Sequence, residues 1–458
     1  MDAWERYGWM FVVIVAVATF RTGGSMDALR MTRSDTVRLV PDARRVISRP
    51  FLPREEIYPD GSSRMQVVLT RVLAMSDDDI AATLTAARRR FEHRHRDLDS
   101  VLERNFAGVA ARLGHLELLL EPLSADRRHL IGAYFTHEYS IESAALGNPS
   151  IVAAPDQSGV GEGEVRFVMS LRAIGEGHVS SIEFRSGIVD ANAAVRLDAV
   201  SGFATTGEPA PDALANYRTW FPASIDISER VLFPSSPTES HGMEDARFVR
   251  FVDDDGTVTY YATYTAFDGH QILPQLLETA DFTEFRVSTL SGRVAHNKGM
   301  AVFPRRINGS YVALGRHDNV NNFVVTSKDI RVWNDAIMIQ EPARPWELMQ
   351  LGNCGSPLET EAGWLVITHG VGAFRRYTLG ALLLDLAEPS RVLGHLAEPL
   401  LSPSDDERDG YVPNVVYSCG AMIHARHLVL PYGFADVGTG IATIPLDDLL
   451  NRLTSSAR

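Results

Sequence analysis

Four short phrases recur down the second half of this chain: "TADFTEF", "TSKDIRVW", "LLDLAEPSRV" and "IPLDDLLNRL". An aspartate leads each one, Asp281, Asp329, Asp385 and Asp447, and in the first two an aromatic residue follows, Phe285 and Trp333. Around them, runs rich in β-branched and aromatic residues, such as "YYATYTAF", "GSYVALGR" and "GWLVITHG", alternate with Gly, Asn, Asp and Pro turns. A phrase returning every ~50–60 residues, with several short strands in between, marks a repeat fold whose units bury their faces on one another. The roughly 300 residues after Asn148 hold about five such units at that period. The expected fold is therefore mainly β, a five-bladed β-propeller; a two-sheet sandwich is the alternative, and it gives less reason for a repeated phrase. Phe285, Trp333 and Trp364 are expected in the blade cores, with stacking on a ligand the alternative for one of them.

Upstream the texture is helical. From about Met75 to Leu146, apolar residues recur at helical spacing, among them Leu84, Ala87, Phe91, Leu98, Leu102 and Phe106. Ser76 followed by acids offers the chemistry of a helix N-terminus. The run "RRRFEHRHR" reads as a solvated helix face rather than an anion patch. The chain thus divides into an apolar extension over 1–30, a lead-in and helical region over 31–146, and the propeller over 147–458. A homo-oligomer through the helical extension is one assembly open to such a chain.

"WMFVVIVAVATF", Trp9–Phe20, is too short to cross a membrane as a helix, and the acidic "MDAWER" before it is unlike the basic start of a signal peptide. Translation from Met26 or Met31 is the preferred reading, then an odd signal sequence, then a structural helix. A net charge of −14 argues against nucleic acid as partner, since phosphate backbones demand clustered Lys and Arg. The two cysteines, Cys354 and Cys419, cannot make a disulfide framework and read as small buried side chains. A cytoplasmic protein without membrane partners is the expectation.

A propeller gathers its chemistry at one end of its axis, so functional residues should be scattered at blade-like intervals. Polar residues beside glycines or turns fit that demand: Asn148 in "GNPS", Arg172 in "MSLRAIG", Asp245 in "GMEDARF", Lys298 in "AHNKGM", His369 in "ITHGVG" and Asp436 in "GFADVG". Arg286 in "TEFRVS" is a further basic candidate. In "GRHDNVNNF", Gly315–Phe323, the acid and histidine are adjacent rather than helix-spaced, so substrate binding or a polar turn is expected there and no metal site.

From about Asn148 to Leu450 the chain resembles glycoside hydrolase family 130, whose members are β-mannoside phosphorylases and some β-mannosidases on a five-bladed β-propeller. "GMEDARF" is similar to the family's Glu-Asp-Pro-Arg signature and "HNKGMAVFPRRINGSYVALGR" to its Asn-Lys-Gly segment. "GNCGSPLETEAGWLVITHGVG", "GYVPNVVYSCG" and "LPYGFADVGTGIATIPLDDLL" match later segments in the family's order. The resemblance implies that Asp245 is the general acid, delivering its proton through a hydroxyl of the bound mannose. It implies that Arg286, Lys298 and His369 bind phosphate, and that Asn148, Arg172, Glu244, Arg247, Arg316 and Asp436 meet the sugar, with Glu244 alternatively orienting Arg247. Inorganic phosphate is then the co-substrate, and no other cofactor is expected.

The chemistry of the residues agrees with that assignment. Inverting transfer needs an acid on the leaving-group side and a nucleophile on the opposite face of the ring. Phosphate needs no base but does need cationic donors, whereas water needs a second carboxylate. Inverting phosphorolysis of a β-mannoside to α-mannose 1-phosphate is the leading expectation, the substrate being a β-1,2-mannoside or a mannosyl-glucose. A β-mannosidase with Glu183 or Glu341 as base is one rival, and a non-catalytic glycan-binding propeller the other. The sequence departs from the family at Ala246, where the signature has proline, and in the loop "IGEGHVSSIEF".

Overall fold

The computed structural model describes residues 29–53, 58, 61–112, 123–212 and 216–455. The apolar stretch Trp9–Phe20 and Met26 lie outside the described residues. Among the described residues, no helix is long and apolar enough to cross a membrane.

From Ala145 onward the chain forms consecutive antiparallel units of four main strands. The first comprises Ala145–Ala153, Val165–Ile174, Ser180–Val189 and Val195–Leu197. Gly242–Val252, Val258–Phe267, Ile272–Thr279 and Glu284–Thr289 form the second. The third runs through Ala301–Val302, Tyr311–Gly315, Asn322–Ser327 and Asp335–Gln340. The fourth uses Gln350–Asn353, Gly363–Val371, Tyr377–Leu384 and Val392–His395. In the fifth, Val416–Tyr417, His427–Phe434 and Gly438–Pro445 are completed by Thr32–Leu39, from the other end of the chain. A lone parallel pair, Gly242 with Ser180, joins the first and second units into one extended sheet.

Each unit packs on the next through its own apolar cluster. Phe184 meets Phe248 between the first and second units, and Phe251 meets Tyr311 between the second and third. Phe303 meets Trp364 between the third and fourth. Leu379 and Leu430 share a cluster between the fourth and fifth, and Val429 and Ile441 of the fifth pack with Met169 of the first. The succession of cores therefore returns to its start. Phe285, Trp333 and Trp364 are all fully buried, in line with a core role.

The repeated aspartates have a common local cause. After the third strand of its unit, Asp281 accepts from Thr283 N, Asp329 from Arg331 N, and Asp385 from Ala387 N and Glu388 N. These are Asx turns, in which a short carboxylate substitutes for a backbone acceptor and redirects the chain. Asp190 makes the same turn in the first unit, accepting from Asn192 N and Ala194 N. Asp447 differs: it stands in the first turn of the closing helix Leu446–Ser455.

Among the described residues the helical region comprises Arg64–Leu73, Asp77–Phe91, Leu98–Arg112 and Ala125–Tyr134, around a core that includes Leu69, Ile80, Val109 and Ile131. Ser63, Ser76 and Ser124 cap three of these helices with their side chains. Helix does not continue to Leu146, as its periodicity suggested. Thr136–Ser140 is a strand paired with Val46–Pro50, favoured by its β-branched and aromatic residues. Within "RRRFEHRHR" Arg89 and Arg90 are exposed, but Arg94 and His95 bond Glu138 and Arg96 bonds Glu229. The second half of that run thus fastens the helices to strand and loop rather than facing solvent.

Candidate active site

The first strands of neighbouring units meet near the centre of the molecule. Phe248 N donates to Ser150 Oγ at 3.0 Å, Asn353 Nδ2 to Gly299 O at 2.5 Å, and Cys419 N to Pro149 O at 2.8 Å. At this convergence lies a cavity of about 160 Å³ lined by Asn148, Asp245, Lys298, Arg316, His369 and Asp436. Gln350, Arg375, Tyr377, Val412, Val415 and Tyr417 complete its wall.

Backbone irregularity delivers the acids. Register breaks between Gly147 and Ser150 in one strand and between Glu244 and Arg247 in another. A bulge of this kind bends the strand and re-aims a side chain. Asn148 and Asp245 sit at these bulges with φ of 50 and 56°, the left-handed region. Asp436 follows Ala435, at φ 48 and 49°, as the first two of the three residues that turn His427–Phe434 into Gly438–Pro445. Such conformations cost a non-glycine residue about 1–3 kcal/mol and concentrate where function demands a particular geometry.

Asp245 is buried, and Asn148 Nδ2 donates to its Oδ1 at 2.5 Å. Burial pushes its carboxyl up, but the charges of Arg172, Arg247 and Lys298 and the Asn148 hydrogen bond outweigh it and hold the group below its ordinary value. Arg172 NH1 stands 3.6 Å from the same oxygen. Arg172 NH2 donates to Glu244 Oε1 at 2.7 Å, and Lys298 Nζ bonds Glu244 Oε2. Glu244 is therefore held between two cations. Asp436 is pushed the other way, chiefly by burial, with Asp245 and Glu244 adding to the rise against Arg172 and Arg375.

Arg247, Arg172 and Glu244 do not line the cavity; they form the layer behind it. Arg247 is fully buried, donating from NH1 to Asp245 O at 3.0 Å and from NH2 to Tyr417 Oη at 2.8 Å. It fixes the acid's backbone rather than reaching a ligand. Ala246, in the proline position, is buried in the core between the first and second units.

On the cationic side, Arg316 NH1 lies 3.4 Å from His369 Nε2. Burial, then the charges of Arg316 and Arg247, push His369 well below the usual histidine range, so the ring is neutral. A guanidinium can only donate, which places the ring proton on Nδ1, 3.7 Å from Cys354 Sγ. Arg316 Nε is buried with no hydrogen-bond partner among the described residues, a donor left for something that enters the cavity.

Arg286 is a correction. It lies on the fourth strand of its unit, its side chain 47% exposed and 3.4 Å from Asp212. Three interstrand steps separate it from the strand of Asp245, about 14 Å at the usual spacing. The cation that joins Lys298 and His369 in the cavity is Arg316. The two acids named for a hydrolytic base are also elsewhere. Glu183 is buried between Arg45 and Arg185 at 2.8 and 3.3 Å, and Glu341 is exposed and does not line the cavity. Arg375, Tyr377, Gln350 and Tyr417 are the polar and aromatic lining residues that the sequence did not single out, with Val412 and Val415 beside them. Tyr417 sits inside "GYVPNVVYSCG", so scanning every polar or aromatic residue of that segment would have found it, whereas Arg375 lies three residues past "THGVG" and outside the matching segments.

Among the described residues no group of acids, histidines and cysteines is arranged to hold a metal ion. Residues 224–455 match the family model described as beta-1,4-mannooligosaccharide phosphorylase. The chain is similar to the 1,2-beta-oligomannan phosphorylase of Thermoanaerobacter sp. strain X514, 34% identical over 230 residues, covering 49% of this chain and 75% of that one. It is 31% identical over 237 residues to the beta-1,2-mannobiose phosphorylase of Listeria innocua, covering 50% of this chain and 64% of the relative. The crystal structure of beta-1,2-mannobiose phosphorylase from Listeria innocua superposes with a TM-score of 0.50 at 21% identity, over 68% of this chain and 92% of that one. The family match takes in Asp245, Lys298, Arg316, His369 and Asp436 and leaves Asn148 and Arg172 outside it. By that match the chain belongs to glycoside hydrolase family 130.

Proposed function

We propose that the chain is an inverting phosphorylase of β-mannosides, releasing α-mannose 1-phosphate, on a five-bladed β-propeller. The unit-to-unit cores that return to their start support the propeller. The observation that carries the chemistry is the unpartnered guanidinium donor of Arg316 beside Lys298 and His369. Glu244, the acid bonded to Lys298 behind the cavity wall, is occupied by Arg172 and Lys298 and is not free to activate water. That set suits an oxyanion as nucleophile, because cationic donors offset its charge and no base is needed.

Asp245 is the acid in this scheme. It acts through a sugar hydroxyl, its backbone held by Arg247 and its carboxylate by Asn148. In the empty site its cationic neighbours keep it ionised. A phosphate dianion among those cations cancels their pull and raises the carboxyl's proton affinity, so the two substrates together arm the acid. Inorganic phosphate is the co-substrate, and the scheme calls for no further cofactor. Asp436, Asn148 and Arg172 support the mannosyl unit; the helical region supports assembly of copies.

The test is incubation with β-1,2-mannobiose, β-1,4-mannobiose and mannosyl-glucose, with and without phosphate. Mannose 1-phosphate formed only with phosphate is expected. Free mannose in phosphate-free buffer would establish a hydrolase instead, and binding without turnover a glycan-binding propeller.

A further inference from the structure

The cavity is small, about 160 Å³, well below the roughly 300–1,000 Å³ of drug-sized ligand sites. Any mannoside longer than a disaccharide must run out across the rim. Two exposed aromatic side chains directly precede residues of the cavity wall. Phe374 is 99% exposed and immediately precedes the cavity residue Arg375. Both have φ of 55°, and the turn is closed by Gly372 N to Arg376 O at 3.0 Å and Arg376 N to Ala373 O at 3.2 Å. The left-handed turn sends Arg375 to the cavity and leaves the Phe374 ring in water, a costly place for so large an apolar group.

Tyr411 is 55% exposed and immediately precedes the cavity residue Val412. One face of its ring stacks on His178 at 5.7 Å and 27°, and its hydroxyl lies 3.3 Å from His178 Nδ1. This contact ties the loop before Ser180–Val189 to the loop that enters the fifth unit. It fixes the tyrosine in place, so little freedom remains to be lost when a sugar stacks on its open face.

We propose that Phe374 and Tyr411 form an acceptor-side platform for the third and later sugars of a mannooligosaccharide, which makes oligomers better substrates than the disaccharide. This rests on the phosphorylase reading, and the test separates the two. Phosphorolysis of manno-biose, -triose and -tetraose, in β-1,2- and β-1,4-linked sets, is measured alongside calorimetric binding of the same sugars without turnover. In the wild type, kcat/KM and affinity should rise from biose to triose. In Phe374→Ala and Tyr411→Ala the triose-to-biose ratio should fall by about tenfold, the effect of ~1.4 kcal/mol, and Phe374→Trp should restore it. Length-dependent binding lost in the alanine variants, with no mannose 1-phosphate formed, would uphold the platform and overturn the reaction. A ratio indifferent to chain length, or unchanged in both alanine variants, would overturn the platform.

Discussion

Asn148 and Asp245 lie 97 residues apart on first strands of different sheet units, and Asn148 Nδ2 donates to Asp245 Oδ1 at 2.5 Å. Both sit on bulges in left-handed backbone. The pair is thus a strained contact made by two locally unfavourable choices, and only the packing of the two units holds them together. Asp245→Asn keeps the shape and removes the proton. Mannose 1-phosphate formation should fall by roughly 10²–10⁴-fold, the range of general acid catalysis, with the melting temperature little changed.

Lys298 bridges Glu244 and the cavity. Lys298→Ala should raise the KM for phosphate roughly 10- to 100-fold, the worth of one hydrogen bond to a charged group, and alter the KM for the mannoside much less. Initial rates over a grid of both substrates separate the two effects. An unchanged phosphate KM would remove Lys298 from the phosphate site.

Arg286 gives the opposite expectation. Its guanidinium is half exposed on an outer strand, where an ion pair contributes about 0–1 kcal/mol. Arg286→Ala should leave both KM values and kcat as they are.

His369 carries a pH dependence. Its native pKa lies below the ordinary 6.5. Above that pH the ring is neutral folded and unfolded; below it, the unfolded chain takes up a proton that the native site refuses. Stability should therefore decline as pH falls from 6.5 towards the native value. His369→Gln should flatten that part of the curve, which denaturant titrations at pH values on either side of 6.5 will register.

Glu183 belongs to a buried network in which Arg45 and Arg185 each meet both Glu142 and Glu183. Removing one member leaves buried charge unmatched, so Glu183→Ala should cost about 3–5 kcal/mol of stability. At a temperature where the variant remains folded, its rate per active molecule should be retained. A selective loss of turnover at full stability would restore Glu183 as a catalytic candidate.

The sequence exposed the β repeat because three of its four aspartate phrases have a local cause, the Asx turn after the third strand of a unit. Asp190 makes the same turn from "VDANAAV", whose wording shares little with the other phrases. The strand Thr136–Ser140 was hidden because it follows a helix whose apolar period runs into it. In the site, residues in motifs of fixed spacing converge: Asn148, Asp245, Lys298, Arg316, His369 and Asp436. Arg286 failed where the spacing was loose. A basic residue near a motif carries no record of which strand of a sheet it will occupy, and strand order decides whether it reaches the cavity. Arg375 and Tyr411 were equally silent, since their roles depend on how one turn and one loop meet at the rim.

Thr32–Leu39 pairs with Gly438–Pro445 and so completes the fifth unit. Everything between them, the helices among the described residues included, is enclosed in a covalent circuit whose two ends are knitted together. The helical region is accordingly no detachable leader: cutting the chain between Leu39 and Arg64 would sever the clasp from the body it closes. During synthesis the early strand must wait, unpaired, until its partner Gly438–Pro445 has left the ribosome. The last sheet, and with it the turn that bears Asp436, can be finished only after some four hundred further residues have been made.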